Sequence, residues 1–172
     1  MKYKVHHYIL LSILLLIIPI IQLSFFSAWG LIGASIHLVG CVMILAYFYI
    51  NPQIAWSIAL VSGFMLDLHN HNFGQDMILL SVIIIILNIL FSRWLVNRNL
   101  ISLFFATLAS FSFYYFGLYI WQSLFVNAVQ IYHRIDLSWS GLLVFVFVNI
   151  VCIIICFWIL RLVNKFLRYA PK

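Results

Sequence analysis

Negative charge is nearly missing from this chain. Among 172 residues there are three acids, Asp67, Asp76 and Asp136, and only 7% of the sequence is charged. Each acid therefore needs a physical reason for its place. Long hydrophilic stretches are missing as well, which excludes an extramembrane domain. What remains is 67% hydrophobic, with a mean hydropathy of +1.19. A soluble domain of this length could not keep so much apolar surface out of water. The sequence reads as one polytopic, all-α integral membrane domain spanning the whole chain, residues 1–172.

Other absences narrow the function. The three cysteines, Cys41, Cys152 and Cys156, are odd in number and lie inside apolar runs, so no disulfide framework is implied. Cys152 and Cys156 share a helix face at i, i+4 spacing. With no further ligand in view they read as small packing residues rather than a metal site. His69 and His71 alternate between Asp67 and Asp76, but two histidines without a fixed third ligand make a weak metal motif. A solvated polar turn is the simpler reading. There is no nucleophile–base arrangement, paired intramembrane carboxylates, phosphate loop or metalloprotease motif. The expectation is a non-enzyme with no cofactor. The net charge of +6 does not point to nucleic acid, because the nine Lys and Arg cluster at the ends of apolar runs and the aromatics lie inside them. That pattern suits anionic membrane lipids.

Apolar runs of the length needed to cross a bilayer, about 20 residues, recur along the sequence. Six spans are predicted, at about 8–26, 31–50, 53–66, 76–92, 100–128 and 140–162. The first, behind Lys2 and Lys4, is longer than a signal-peptide core and reads as an uncleaved span. Pro52, behind Asn51, suits a helix start. The third span is short, rising about 21 Å, and a re-entrant piece is the alternative. Charge decides between them. With six crossings and both termini cytoplasmic, Lys2, Lys4, Arg93, Arg98, Arg161, Lys165, Arg168 and Lys172 all lie inside, and only Arg134 lies outside with the three acids. Five crossings would contradict the positive-inside rule wherever the N-terminus is placed. Trp29 and Trp139 then mark the outer boundary, and Tyr47, Tyr49, Trp56 and Trp94 the inner one.

The three acids are not equivalent. Asp76 opens the fourth span, where its charge complements free N–H groups, and Asp136 precedes the sixth, with Ser138 as a capping candidate. Asp67 stands at the C-terminal end of the third span, where the helix dipole opposes an anion and an unpaired charge near lipid is costly. It is either solvated at the interface or a buried anchor. If buried, its candidate partners are backbone N–H groups of the following loop, or Arg134. Gly63, one turn earlier on the same face, would admit a neighbouring helix.

Several polar or small positions mark further packing or partner faces. His37 lies in the second span with Gly33 and Gly40 on its face. An intramembrane ionisable group is a functional candidate, with a hydrogen bond to another helix the favoured role. Asn88 and Ser92 on the fourth span, Ser112, Tyr115, Tyr119 and Gln122 on the fifth, and Asn149 with Cys152 and Cys156 on the sixth complete the set.

Gly63-Phe64-Met65-Leu66-Asp67-Leu68, with a short turn closed by Phe73-Gly74, resembles the G-x-x-x-D … G signature of the MreD family of rod shape-determining proteins. Chain length, the Asn-Pro break and the nearly loop-free six-span layout fit the same family. The motif covers about a dozen residues, and the turn His69-Asn70-His71-Asn72 departs from the small residues usual there. The resemblance implies a structural role for Gly63, Asp67 and Gly74. It implies a fold similar to the substrate-binding subunits of energy-coupling-factor transporters. It also implies a scaffold in the bacterial inner membrane that binds a single-span MreC-like protein. Through that partner it would connect MreB filaments, the RodA glycosyltransferase and a penicillin-binding transpeptidase in peptidoglycan synthesis. The alternative is a vitamin-binding subunit of a transporter. Such subunits present an Ala-x-x-x-Ala face on the first span, and Ser12 to Phe26 contains no alanine.

Overall fold

The computed structural model describes residues 16–26, 35–70, 74–93, 99–125 and 139–169. Every element among them is helical. α1 covers Leu16–Phe25, with a π-helical turn at Gln22–Phe26. α2 is Leu38–Tyr49, α3 Pro52–Asn70, α4 Gln75–Arg93, α5 Leu100–Phe125 and α6 Trp139–Tyr169. Three of these, α4, α5 and α6, are long and apolar enough to cross a membrane.

Local chemistry explains the boundaries. Asn51 accepts the Gln53 N–H at 3.0 Å through its side chain and so caps α3, with Pro52 at the first helical position. Asn99 caps α5 in the same way, accepting the Ser102 N–H at 2.8 Å. Gly74 has a φ of +74°, a left-handed turn that glycine adopts without strain just before α4.

The predicted spans need three adjustments. The third helix continues past Leu66 to Asn70. Its 19 residues rise about 28 Å, so the shortness inferred from the sequence is absent. Asp67 does not end it, because its charge is taken up elsewhere, as described below. The sixth helix runs past residue 162 to Tyr169. The second predicted span is interrupted: Ile36 and His37 are non-helical, and α2 begins at Leu38.

α2 is the central helix. Val39, Gly40, Cys41 and every residue from Met43 to Phe48 are buried, as a helix apolar all round requires. It packs against α3, α4, α5 and α6. The outward faces of the long helices carry Ile78, Val82, Ile85 and Ile89 on α4, Phe105, Phe113 and Phe116 on α5, and Leu143 and Phe147 on α6, all exposed. Apolar surface of this extent is a lipid-facing or partner-facing surface, not a water-facing one. Tyr47 is buried in the bundle, and its hydroxyl donates to Asn88 Oδ1 at 3.0 Å. Tyr49 and Trp56 keep exposed edges, while Trp29 and Trp94 lie outside the described residues.

Candidate functional site

α3 presents Ala55, Ala59, Gly63 and Asp67 at four-residue intervals, all on one buried face. Small residues at this spacing let helix backbones approach closely. At Gly63 the approach is extreme. A Cβ there would stand 2.7 Å from Met77 Cα and 3.0 Å from Met77 N. The first turn of α4 is thereby pressed against α3, one turn before Asp67. The Asp67 carboxylate then reaches across the hairpin. Oδ1 accepts the Asp76 N–H at 2.7 Å and Oδ2 accepts the Met77 N–H at 3.0 Å.

Asp67 is thus a cap for the neighbouring helix rather than its own. The anion lies against the positive end of α4, where free N–H groups and helix dipole both favour it. It is 4% exposed, which excludes the solvated reading and supports the anchor. Of the two candidate partners, the backbone N–H groups are the ones observed. They belong to the first turn of α4 rather than to the loop. Arg134 lies outside the described residues.

Asp76 corrects a second expectation. It does open α4, but its carboxylate does not serve the free N–H groups, because Asp67 already holds them. It turns inward, is 5% exposed, and accepts the hydroxyl of Tyr114 from α5. Asn70 at the end of α3 is a further hydrogen-bond partner. The Tyr114 oxygen is also 2.8 Å from His37 Nε2. His37 Nδ1 accepts the Gly40 N–H at 3.0 Å, so the ring proton is on Nε2. The direction of the chain follows: His37 Nε2–H donates to Tyr114, and Tyr114 donates to Asp76. The His37 N–H donates to Asn149 Oδ1 on α6 at 2.8 Å. Asn149 Nδ2 donates to the carbonyls of Ser35 and Phe145, both at 2.8 Å. Five helices are therefore joined by one buried polar chain running from Asp67 to Asn149.

No family model matches this chain, and no curated protein or solved structure does either.

The remaining sequence-predicted residues distribute unevenly. Gly63, Asp67 and Gly74 come together at the α3–α4 hairpin. Gly40 is buried beside His37 and Phe111, and Asn149 is fully buried at the far end of the chain. Asn88 pairs with Tyr47, away from that chain, and Ser92 bonds back to the Ile89 carbonyl of its own helix. Ser112, Tyr115, Tyr119 and Gln122 differ in burial. Tyr115 is buried against Phe145, Ser112 and Gln122 are half-buried, and Tyr119 is 53% exposed. Leu103, Thr107, Phe111, Tyr114 and Leu118 are buried on α5 as well. Gly33 and His71 lie outside the described residues, and His69 is exposed. No group of three metal-binding side chains occurs among the described residues.

Sequence reasoning missed Tyr114 and Gln22. A tyrosine facing a helix bundle must satisfy its hydroxyl, which is the signal that could have found Tyr114. Tyr114→Phe leaves a buried carboxylate and the His37 Nε2–H each short of a partner. The expected loss is about 1–3 kcal/mol, read as a lower unfolding midpoint in detergent. Tyr119→Phe, at an exposed position, should leave the midpoint unchanged.

Proposed function

We propose that this protein is a non-enzymatic scaffold of the bacterial cell-elongation complex, an MreD-like protein of the cytoplasmic membrane. It crosses six times, at the spans that contain α1 to α6, with both termini cytoplasmic. Its partners are membrane lipids and a single-span MreC-like protein, and through that protein MreB filaments, RodA and a penicillin-binding transpeptidase.

The observation that carries this reading is the hairpin built by Gly63, Asp67 and Gly74. The three residues that resemble the family signature do one structural job together: they fix α3 against α4 with every carboxylate oxygen of Asp67 engaged. A closely packed pair of helices is a surface that a scaffold can present to a partner. The buried polar chain also favours a scaffold over the vitamin-binding alternative. Its members bond one another, whereas a binding site keeps convergent polar groups turned toward a ligand.

The test is affinity purification of the full chain from its native membrane. Recovery of a single-span coiled-coil protein is the expected outcome. Recovery of a bound vitamin together with an ATPase module would overturn the reading in favour of a transporter subunit. Topology has its own test. A periplasm-active reporter fused after Lys172 should be inactive, and an active one would exclude the six-crossing arrangement.

A further inference from the structure

Charge is divided between the two ends of the bundle. The two acids among the described residues, Asp67 and Asp76, are buried at the α3–α4 hairpin. At the other end α2 stops at Tyr49, α3 begins at Pro52 and α4 stops at Arg93. Arg161 of α6 belongs to this second end. Tyr49 packs on Phe157 with ring centroids 5.8 Å apart and lies in the field of the Arg161 guanidinium. Asp67 is about 22 Å along α3 from Pro52, at 1.5 Å per residue. That exceeds the reach of charge through salt water, about 8 Å at physiological ionic strength. Arg93 and Arg161 are both exposed, and no acid among the described residues neutralises either.

Arg161 is nevertheless held in place. Its guanidinium lies 5.8 Å from the centroid of the Trp158 ring, a cation–π contact that uses up none of its N–H donors. Fixing the side chain beforehand lowers the cost of binding an anion there. The Tyr49 phenol, 46% exposed, stands beside it as a further donor. Its ring is positioned by Phe48, at 5.0 Å, as well as by Phe157. From Arg161 toward the middle of the helix, Trp158, Ile155 and Val151 follow at steps of three and four residues and so share its face. All three are exposed. The result is an apolar stripe headed first by an aromatic ring and then by a fixed cation, the order in which a phospholipid presents acyl chain, glycerol and phosphate.

We propose that this end of α6 is a seat for one anionic phospholipid: Arg161 and the Tyr49 hydroxyl take its phosphate, Trp158 its glycerol region, and Ile155 and Val151 an acyl chain. Arginine suits the part because its planar N–H fork matches the oxygens of a phosphate. The lipid is net anionic because Arg161 brings a charge that nothing nearby in the protein cancels. A zwitterionic headgroup carries its own ammonium to its phosphate and gains less. The inference rests on the chain spanning a membrane with this end among the headgroups, and it does not depend on the MreD-like role.

The experiment is native mass spectrometry of the full chain in detergent, titrated with phosphatidylglycerol or with phosphatidylcholine of the same acyl chains. The wild-type protein should retain one phosphatidylglycerol at least about 10-fold more tightly than phosphatidylcholine, the worth of one charge-assisted hydrogen bond. Arg161→Gln should abolish that preference. Arg93→Gln, the same change of charge at another exposed arginine of this end, should keep it. No preference in the wild type would overturn the proposal, and so would equal losses in the two variants, which would mean diffuse charge rather than a seat. Excess inorganic phosphate should leave the bound lipid in place, and its displacement would mean a site for free phosphate instead. A chain that stays in solution without detergent would remove the membrane reading itself, and the seat with it. Recovery of a single-span partner, which tests the scaffold role, should be the same for Arg161→Gln as for the wild type.

Discussion

Gly63→Ala should unfold the protein at markedly lower denaturant than wild type, and Gly63→Leu should prevent accumulation of folded protein. The reason is that the obstacle is main chain. A methyl at position 63 would lie 2.7 Å from Met77 Cα, closer than real contacts allow, and α4 must move as a body to relieve it. Overpacking of this kind costs about 1–3 kcal/mol. The same movement draws the Asp76 and Met77 N–H groups away from Asp67. Each hydrogen bond to a charged group is worth about 1.5–3 kcal/mol. Gly40→Ala is the informative comparison. Its methyl would meet the His37 and Phe111 rings at 3.0 Å, and side chains can rotate away where backbone cannot. The midpoint in a detergent unfolding titration should fall much further for Gly63→Ala. Equal losses would mean that the α3–α4 contact is looser than described.

Substitution at Asp67 should produce the second large effect. Asp67→Ala leaves the Asp76 and Met77 N–H groups buried and without their acceptor, at about 1–3 kcal/mol each. Asp67→Asn keeps one carbonyl oxygen but turns an amide donor toward the other N–H, so an intermediate loss is expected. Asp76→Asn retains an acceptor for the Tyr114 hydroxyl and should cost least of the three. Protein level in membranes and unfolding midpoint should both rank in that order. Asp76→Asn as the most damaging change would transfer the structural role from Asp67 to its neighbour. Because Gly63 and Asp67 support the same contact, Gly63→Ala with Asp67→Ala should cost less than the sum of the two single changes.

How far these features could be read beforehand depended on where their partners lie in the sequence. The helix start at Pro52 was legible because Asn51 and Pro52 mark it locally, and the start near Leu100 because an apolar run begins there; the structure adds Asn51 and Asn99 as caps. The exceptional status of Asp67 was legible too, since helix polarity and membrane depth both opposed a carboxylate there. Its partner was left open between backbone N–H groups of the following loop and Arg134, and the donors are N–H groups of the first turn of α4. The interior of the bundle was different. Asp76 looked sufficient as a first-turn acid, and nothing local revealed that Asp67 would take the N–H groups first. Tyr114 and Tyr115 are adjacent and both buried, and a broad apolar pattern on α5 does not say which of them meets Asp76. The break at Ile36–His37 was hidden for a similar reason. The side chains that serve it are Gln22, 17 residues from Val39, and Asn149, 112 residues from His37, and residues that far apart leave no mark on local periodicity.

The central claim is that Asp67 is held by the first turn of α4 within the protein, and amide hydrogen exchange tests it most directly. Gln75–Asp76 and Asp76–Met77 are each unique pairs in the sequence, so selective labelling can report the two amides separately. In wild-type protein in nanodiscs, both should exchange slowly, and in Asp67→Ala both should exchange at least about 10-fold faster, corresponding to about 1.4 kcal/mol. Amides that already exchange freely in the wild type, or that ignore the loss of the carboxylate, would contradict the account.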